Sequence, residues 1–550
     1  MSNKPVRLPQ QARERRERAR RLREKAFKLS NPLSPPEHES NGEENAFLEH
    51  HGFPVSSFSK GLAHNARGEV ESAAYARLLG ALRTGREEDF ASIPLGTPAP
   101  FGRRLVGLQS GLAFDLEGPD AQALPMPPAP RLGGRKNDAE MVELYWMALL
   151  RDVPFTRYAQ SEDIATAARE LEGYREQLDM PLAEALTPLT LFRGHARGAL
   201  EGPYLSQFLL RDFNYGAIEV HQRIHTTVPG HDSLTSFDTW LASQNGAPAP
   251  RGDVLDPEPR YIRNLRDLAR YVHVDPPYLP YLAAALALPG LARTPLEFLG
   301  LQDDGNPYLR RTPNQEGFAT FSGPALLALL AEVTTRAAKG MWFQKWFIHR
   351  RLRPEEYGGR IDVHRRDEAH YPVSQELLSS QAHQRTLSRF GSSLLPQAYP
   401  EGCPLHPAYA AGHAASAGAC VTLLKAFLNE RSPWPGGRVV VPSDDGKTLV
   451  DYTGPGAGAL TVGGELDKLA ANIALGRSAA GVHWRSDYTE GLRYGERVAL
   501  ALLREHTLLF NETAHFTVTR FSGRTVRIER GELKEVTPES GPPSLSSAAV

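Results

Sequence analysis

Residues 406–428 read His-Pro-Ala-Tyr-Ala-Ala-Gly-His-Ala-Ala-Ser-Ala-Gly-Ala-Cys-Val-Thr-Leu-Leu-Lys-Ala-Phe-Leu. From Ala414 onward the residues are helix formers, and Ala414, Ala415, Ala417, Gly418 and Ala419 are small enough to let a neighbouring helix approach closely. Gly412 and His413 fall where that helix should begin. A helix start offers unpaired N–H groups and the positive end of the dipole to an anion, and glycine lets backbone come near it. The stretch therefore predicts a closely packed helix whose start could face an oxyanion.

Two further segments supply the rest of such a site. Lys345-Trp-Phe-Ile-His-Arg-Arg-Leu-Arg353-Pro354 closes a strongly helical run, expected from Pro324 to about Leu352. Lys345 and Arg353 are eight residues apart and would diverge by roughly 80° on an ideal helix. Pro354 pushes the residue before it out of the α region, which frees Arg353 to turn back toward the same anion as Lys345. Gly476-Arg477-Ser-Ala-Ala-Gly-Val-His483-Trp-Arg-Ser-Asp487 follows a helix expected over Glu465–Leu475. Asp487 is four residues after His483, in reach to cap the next helix or to hold one imidazole nitrogen and make the other a better ligand. Taken singly, each segment has an ordinary explanation: a basic helix end, a satisfied core histidine, an N-cap. Together, three cations, two histidines and free N–H groups form a set suited to a tetrahedral oxyanion.

Composition sets wider limits. The chain has 550 residues, 41% apolar and 23% charged, with a formal net charge of −1, so no global field points to nucleic acid. Cys403 and Cys420 cannot make a disulfide framework, and no Cys/His cluster supports zinc or haem. No apolar run follows the basic first residues, so no export signal is expected, and stretches such as 281–288 and 325–330 are well short of the ~20 residues that cross a bilayer. A soluble, cytoplasmic-type protein without membrane contact is expected.

The expected architecture is mainly α, a multi-helix body containing helical bundles with small β-hairpins. Residues 1–45 are expected to be a basic, flexible N-terminal arm, with no aromatic residue among the arginines before Phe27 to suggest nucleic-acid stacking. Residues 46–320 read as an N-terminal helical region and 321–510 as the anion-binding helical bundle. Residues 511–550 read as a β-hairpin and a disordered tail. Hairpin signals surround Asp445-Gly446 and Ser522-Gly523.

On these residues the chain resembles the vanadium-dependent haloperoxidases, whose anion-site plan is shared with type 2 phosphatidic acid phosphatases and bacterial acid phosphatases. The shared pattern is Lys and, further on, Arg-Pro; then Pro-Ser-Gly-His; then Ser-Arg, Gly-x-His and a later Asp. It is met by Lys345/Arg353/Pro354, Gly412/His413 and Arg477/Gly481/His483/Asp487. The segments Asn41-Gly-Glu-Glu44, Trp146-Met-Ala-Leu-Leu-Arg-Asp152, Gly202-Pro-Tyr-Leu-Ser-Gln207 and Tyr271-Val-His-Val-Asp275 are similar to the bromoperoxidase-type branch, and the likeness runs from about residue 40 to 510.

The resemblance implies vanadate as cofactor, held axially by His483, with Lys345, Arg353 and Arg477 neutralising its oxygens and the N–H of Gly412 adding a hydrogen bond. His413 is then the acid/base toward hydrogen peroxide, Lys345 polarises the bound oxygen, and halide is oxidised to hypohalous acid. Trp342 matches an aromatic near the halide path. His406 stands where chloroperoxidase-like members carry phenylalanine, which implies bromide and iodide rather than chloride, and an ionisation near the peroxide. Asp275 is the candidate for orienting His413. Substrates are halide, hydrogen peroxide and a small organic acceptor, and a homo-oligomer is implied, with the basic arm as an interface element. The pattern is broken at Ala410-Ala411, where Pro-Ser is usual, and at Gly476 in place of serine. An acid phosphatase using His483 as nucleophile and His413 as leaving-group acid is the alternative; a non-catalytic oxyanion-binding protein is the third reading.

Overall fold

The computed structural model describes residues 9–180, 185–291, 304–310 and 314–537. Within the expected N-terminal arm the arginine-rich stretch forms a helix, α1 (Pro9–Ser30). It packs on the long helix near the C-terminus and buries Ala26, while Glu17 and Glu24 pair with Arg20 and Arg21 along its exposed face. Helix α2 (Arg135–Leu149) is buried almost all round, including Glu140 and Glu143 at 0% exposure. Those carboxylates await partners from the C-terminal bundle.

Strands β1 (Phe213–Tyr215) and β2 (Ile218–Val220) make an antiparallel hairpin turning at Gly216, which the sequence analysis did not foresee. Helix α3 (Leu265–Tyr271), capped by the Asn264 side chain on the Asp267 N–H, delivers the chain to His273 and Asp275.

Helix α4 (Gly323–Phe343) corrects the expected run to Leu352. Its last turn, Gln344–His349, widens to π geometry, with the Arg350 N–H bonded to the Lys345 carbonyl at 2.9 Å. Arg350, at φ 40, ends it. That left-handed conformation is disfavoured for a side chain, but the Arg350 guanidinium is pinned by the Trp346 and Phe347 carbonyls and by Glu44 at 2.8 Å. The chain then reverses and runs extended to Arg353 (φ −81, ψ 156), the N-cap of α5 (Pro354–Arg365). Arg353 is extended, as expected of the residue before Pro354, but the turn toward Lys345 begins at the π segment.

Helix α6 (Gly412–Phe427) is the centre of the bundle and packs on α4, on α7 (Val462–Ala479) and on α8 (Arg485–Leu509). Its small residues explain the last contact. A Cβ on Gly418 would stand 2.1 Å from the Leu492 carbonyl oxygen, and one on Gly495 would stand 1.9 Å from that of Ala415. The two backbones therefore touch, which only glycine allows at these two positions.

Between α6 and α7 lies the foreseen hairpin of β3 (Val440–Pro442) and β4 (Leu449–Asp451). After α8, β5 (Phe516–Thr519), β6 (Thr525–Glu529) and β7 (Glu532–Val536) form a three-stranded antiparallel sheet rather than a hairpin. The tail from Pro538 lies outside the described residues. Among the described residues no helix is long and apolar enough to cross a membrane.

Candidate active site

The ends of α4, α5, α6 and α7 and the start of α8 meet at one point, where they bring together the residues of the three segments. A cavity of about 460 Å³ opens there, lined on this side by Trp342, His406, Gly412, His413, Arg477 and His483. Lys345 and Arg353, both 0% exposed, are wholly buried, and Arg353 sits behind the two histidines.

Arg353 donates from Nε to the His406 carbonyl at 2.9 Å and from Nη1 to the Val482 carbonyl at 2.6 Å. Its Nη1 also meets His483 Nε2 at 2.8 Å, and its Nη2 meets His406 Nδ1 at 3.0 Å. Lys345 Nζ donates to the carbonyls of Pro407 and Ala408 at 2.7 and 2.8 Å, and Arg477 Nη1 donates to the Val272 carbonyl at 2.8 Å. None of the three has a carboxylate partner. Burial and the neighbouring arginines push the Lys345 pKa well below its usual value, and burial likewise lowers that of Arg353. An anion placed among them would restore both.

His483 lies just before α8. The Asp487 carboxylate, in the first turn, accepts from its Nδ1 at 2.8 Å and from the Trp484 N–H at 3.0 Å, so capping and imidazole bonding come from the same group. Burial pushes Asp487 up to about 6, while Arg351 and Lys345 hold it down. Burial, Arg353 and Lys345 push His483 well down, so the imidazole is neutral. With Nδ1–H committed to Asp487, the Nε2 lone pair is the ligand atom.

At the other side, His413 Nε2 is bonded to Asp275 Oδ1 at 2.9 Å. That partner fixes the proton on Nε2 and leaves Nδ1 as the basic nitrogen. Gly412 opens α6, so its N–H has no acceptor in the helix. The Trp342 ring covers it closely, since a Cβ there would be 2.9 Å from Cζ3, so the indole leaves room for little more than glycine. The same indole lies 4.8 Å from the His406 ring and 5.7 Å from Lys345 Nζ. Ala411 is the N-cap of α6 and makes no side-chain capping bond.

His406 is 6% exposed; burial, Arg353 and Lys345 push its pKa well below 6.5, and its Nδ1 faces Arg353 Nη2 at 3.0 Å.

Several residues of the site carried no signal that the sequence analysis used. Arg351 donates to Glu140 at 2.9 Å and reaches Asp487 at 3.3 Å, holding the carboxylate that holds His483. Val106 accepts from the indoles of Trp342 and Trp346 at 3.1 and 2.9 Å. His273, Tyr399 and Glu401 form the far cavity wall. Arg351, Trp346 and His273 lie in the Lys345–Pro354 and Tyr271–Asp275 segments, but their spacing points to no partner; Val106, Tyr399 and Glu401 lie outside every motif.

Comparison with known proteins gives concordant results. A family model described as the VCPO second helical-bundle domain matches residues 381–512. A vanadium-dependent bromoperoxidase of Corallina officinalis is 35% identical over 86% of this chain and 91% of its own length. One from Ascophyllum nodosum is 33% identical over 86% of each. The homohexameric structure of the second vanadate-dependent bromoperoxidase of Ascophyllum nodosum superposes with a TM-score of 0.87 at 27% identity, covering 97% of this chain and 96% of that one.

Proposed function

This chain belongs to the vanadium-dependent bromoperoxidases, and from that premise we propose that the corner of Lys345, Arg353, Arg477, Gly412 and His483 holds vanadate in an enzyme that oxidises bromide and iodide with hydrogen peroxide to hypohalous acid. One observation carries the reading. Three buried cations converge without a carboxylate, Arg477 Nε is buried without any partner, and the Gly412 N–H is free, so the donor set lacks an acceptor-only, multiply charged group. A tetrahedral oxyanion fits that deficit.

Vanadate, when bound, supplies Lewis-acid activation of peroxide toward halide. The chain's own groups do the rest. His483 offers Nε2 as the ligand while Asp487 retains the Nδ1 proton. Lys345, Arg353 and Arg477 supply compensating charge at fixed positions, which costs no reorganisation during turnover. His413 Nδ1 takes the proton of incoming hydrogen peroxide, and the Asp275 carboxylate at Nε2 stabilises the resulting imidazolium. Trp342 and neutral His406 shape the approach for a large, polarisable halide. The phosphatase alternative is not favoured, since the relatives that match over most of the chain are bromoperoxidases. The assembly is taken as homo-oligomeric, in line with the hexameric neighbour, and the enzyme as soluble, with a small organic acceptor free in solution.

Reconstitution of the protein with orthovanadate, followed by bromination of a phenol-red-type dye, tests this. Activity should appear with vanadate, and inorganic phosphate in excess should slow its recovery by occupying the same corner. Recovery at an unchanged rate under phosphate excess contradicts the assignment.

A further inference from the structure

Arg477 is held differently from the other two cations. Its Nη1 donates both protons, one to the Val272 carbonyl at 2.8 Å and one to the Tyr399 hydroxyl at 3.1 Å. Nη2 has no hydrogen bond, and Nε is buried without a partner. The parallel N–H pair on the Nε–Nη2 edge, the edge with which arginine grips an oxyanion by two bonds, is therefore the part left open.

Tyr399 fixes that orientation. It is 2% exposed, and its hydroxyl donates to the Ala269 carbonyl at 2.8 Å, so the oxygen lone pair must face Arg477. Its ring lies 5.1 Å from the Arg477 guanidinium carbon and stacks on His273 at 3.8 Å and 9°. His273 is clamped by Glu401 at 2.7 Å and Asp253 at 3.4 Å, and Asp253 is anchored by Arg270 at 2.6 Å. Carbonyls of α3 and its end, a tyrosine and an ion-paired imidazole thus form a jig around one guanidinium.

We propose that Tyr399 is a positioning residue of the oxyanion site: by accepting one Nη1 proton it turns the Nε–Nη2 edge of Arg477 toward the bound anion, and the stacked His273 keeps it there. This rests on the reading that the corner holds vanadate. A tyrosine that merely filled the core would affect folding but not anion affinity.

Tyr399→Phe keeps the ring and removes the hydroxyl. Calorimetric titration with orthovanadate, and separately with inorganic phosphate, should show both dissociation constants rising in parallel by roughly five- to twentyfold. The affinity loss should exceed the loss in kcat at saturating vanadate. In an Arg477→Lys background the same change should do little more, because lysine has no second edge to orient. His273→Leu, which removes the stack and leaves the hydroxyl, should weaken both anions less, in the same direction, and serves if Tyr399→Phe folds poorly. Unchanged affinities for both anions in Tyr399→Phe, with a lower melting temperature alone, overturn the proposal. His483→Ala separates the two levels: retained vanadate there defeats the site reading itself, whereas lost vanadate there with an unaffected Tyr399→Phe defeats only this inference.

Discussion

Arg351 and Arg353 are two residues apart, and both are buried, at 3% and 0% exposure. Arg351 ends on Glu140 and Asp487; Arg353 ends on two histidines and two carbonyls. The same contrast separates the whole α2–α8 seam from the oxyanion corner. In the seam Arg485 is bonded to Glu143 at 2.5 Å, and elsewhere in the core Lys60 meets Glu355 at 2.6 Å and Lys468 meets Glu465 at 2.5 Å. Arg193 and Arg360 also lack a carboxylate, but they stand alone: Arg193 spends its donors on five backbone carbonyl bonds, and Arg360 lies over Phe53 and Tyr371. Among the described residues, three buried cations without a carboxylate partner converge only at the corner. Burying charge without a counter-charge is costly, so removing one partner in the seam should be expensive, whereas on the proposed reading the corner's charge is compensated by a bound anion.

The largest effect should come from breaking the seam. Glu143→Ala leaves Arg485 buried and uncompensated, and chemical denaturation should show a loss of about 3–5 kcal/mol. A near-zero change would erase the distinction between the two regions. Next is the corner's response to an anion. Orthovanadate at a hundredfold excess over its dissociation constant should raise unfolding free energy by about 2.7 kcal/mol. Lys345→Met should lose most of that gain, because one of three converging charges is gone.

Ala411→Ser sharpens the comparison at the helix start. Its hydroxyl can cap α6, worth ~0.5–2 kcal/mol of stability, and can donate to the bound anion, worth ~0.5–1.5 kcal/mol of affinity. A gain in stability without a gain in affinity places Ala411 outside the anion's reach.

The smallest effect is set by His273. Burial opposes its charge, but the Asp253 carboxylate at 3.4 Å and the hydrogen-bonded Glu401 carboxylate at 2.7 Å outweigh burial and raise its pKa above 6.5. A raised folded-state pKa stabilises the protein below the unfolded value, and that contribution is lost as pH climbs through the folded one. Wild type should therefore lose stability across that window relative to His273→Gln, whose profile should be flatter; parallel profiles contradict the ion-paired assignment.

How much of this was legible in sequence follows from range. Helix starts, small-residue packing and the Asp487 cap are local, and Gly412, His483 and Asp487 could be read from spacing. The link from Asp275 to His413 spans 138 residues and was reached only through the family resemblance. Tyr399 and Arg351 act through bonds to residues 78 and 136 positions away, where neither periodicity nor motif carries a signal. The helix that stops at the π turn was misjudged because Trp346 and Gln344 are helix-compatible residues anchored by carbonyls of Val106 and Leu124, contacts invisible in the local run. The lowered pKa of His406 comes from its burial beside Arg353 and Lys345, which residue type alone does not fix.

The most direct test is vanadium content after orthovanadate reconstitution and dialysis, measured by elemental analysis on wild type and His483→Ala of equal folded content. Wild type should retain about one vanadium per chain and His483→Ala essentially none, since three cations without the ligand nitrogen hold only an exchangeable anion. Equal vanadium in the two proteins would contradict the account at its centre.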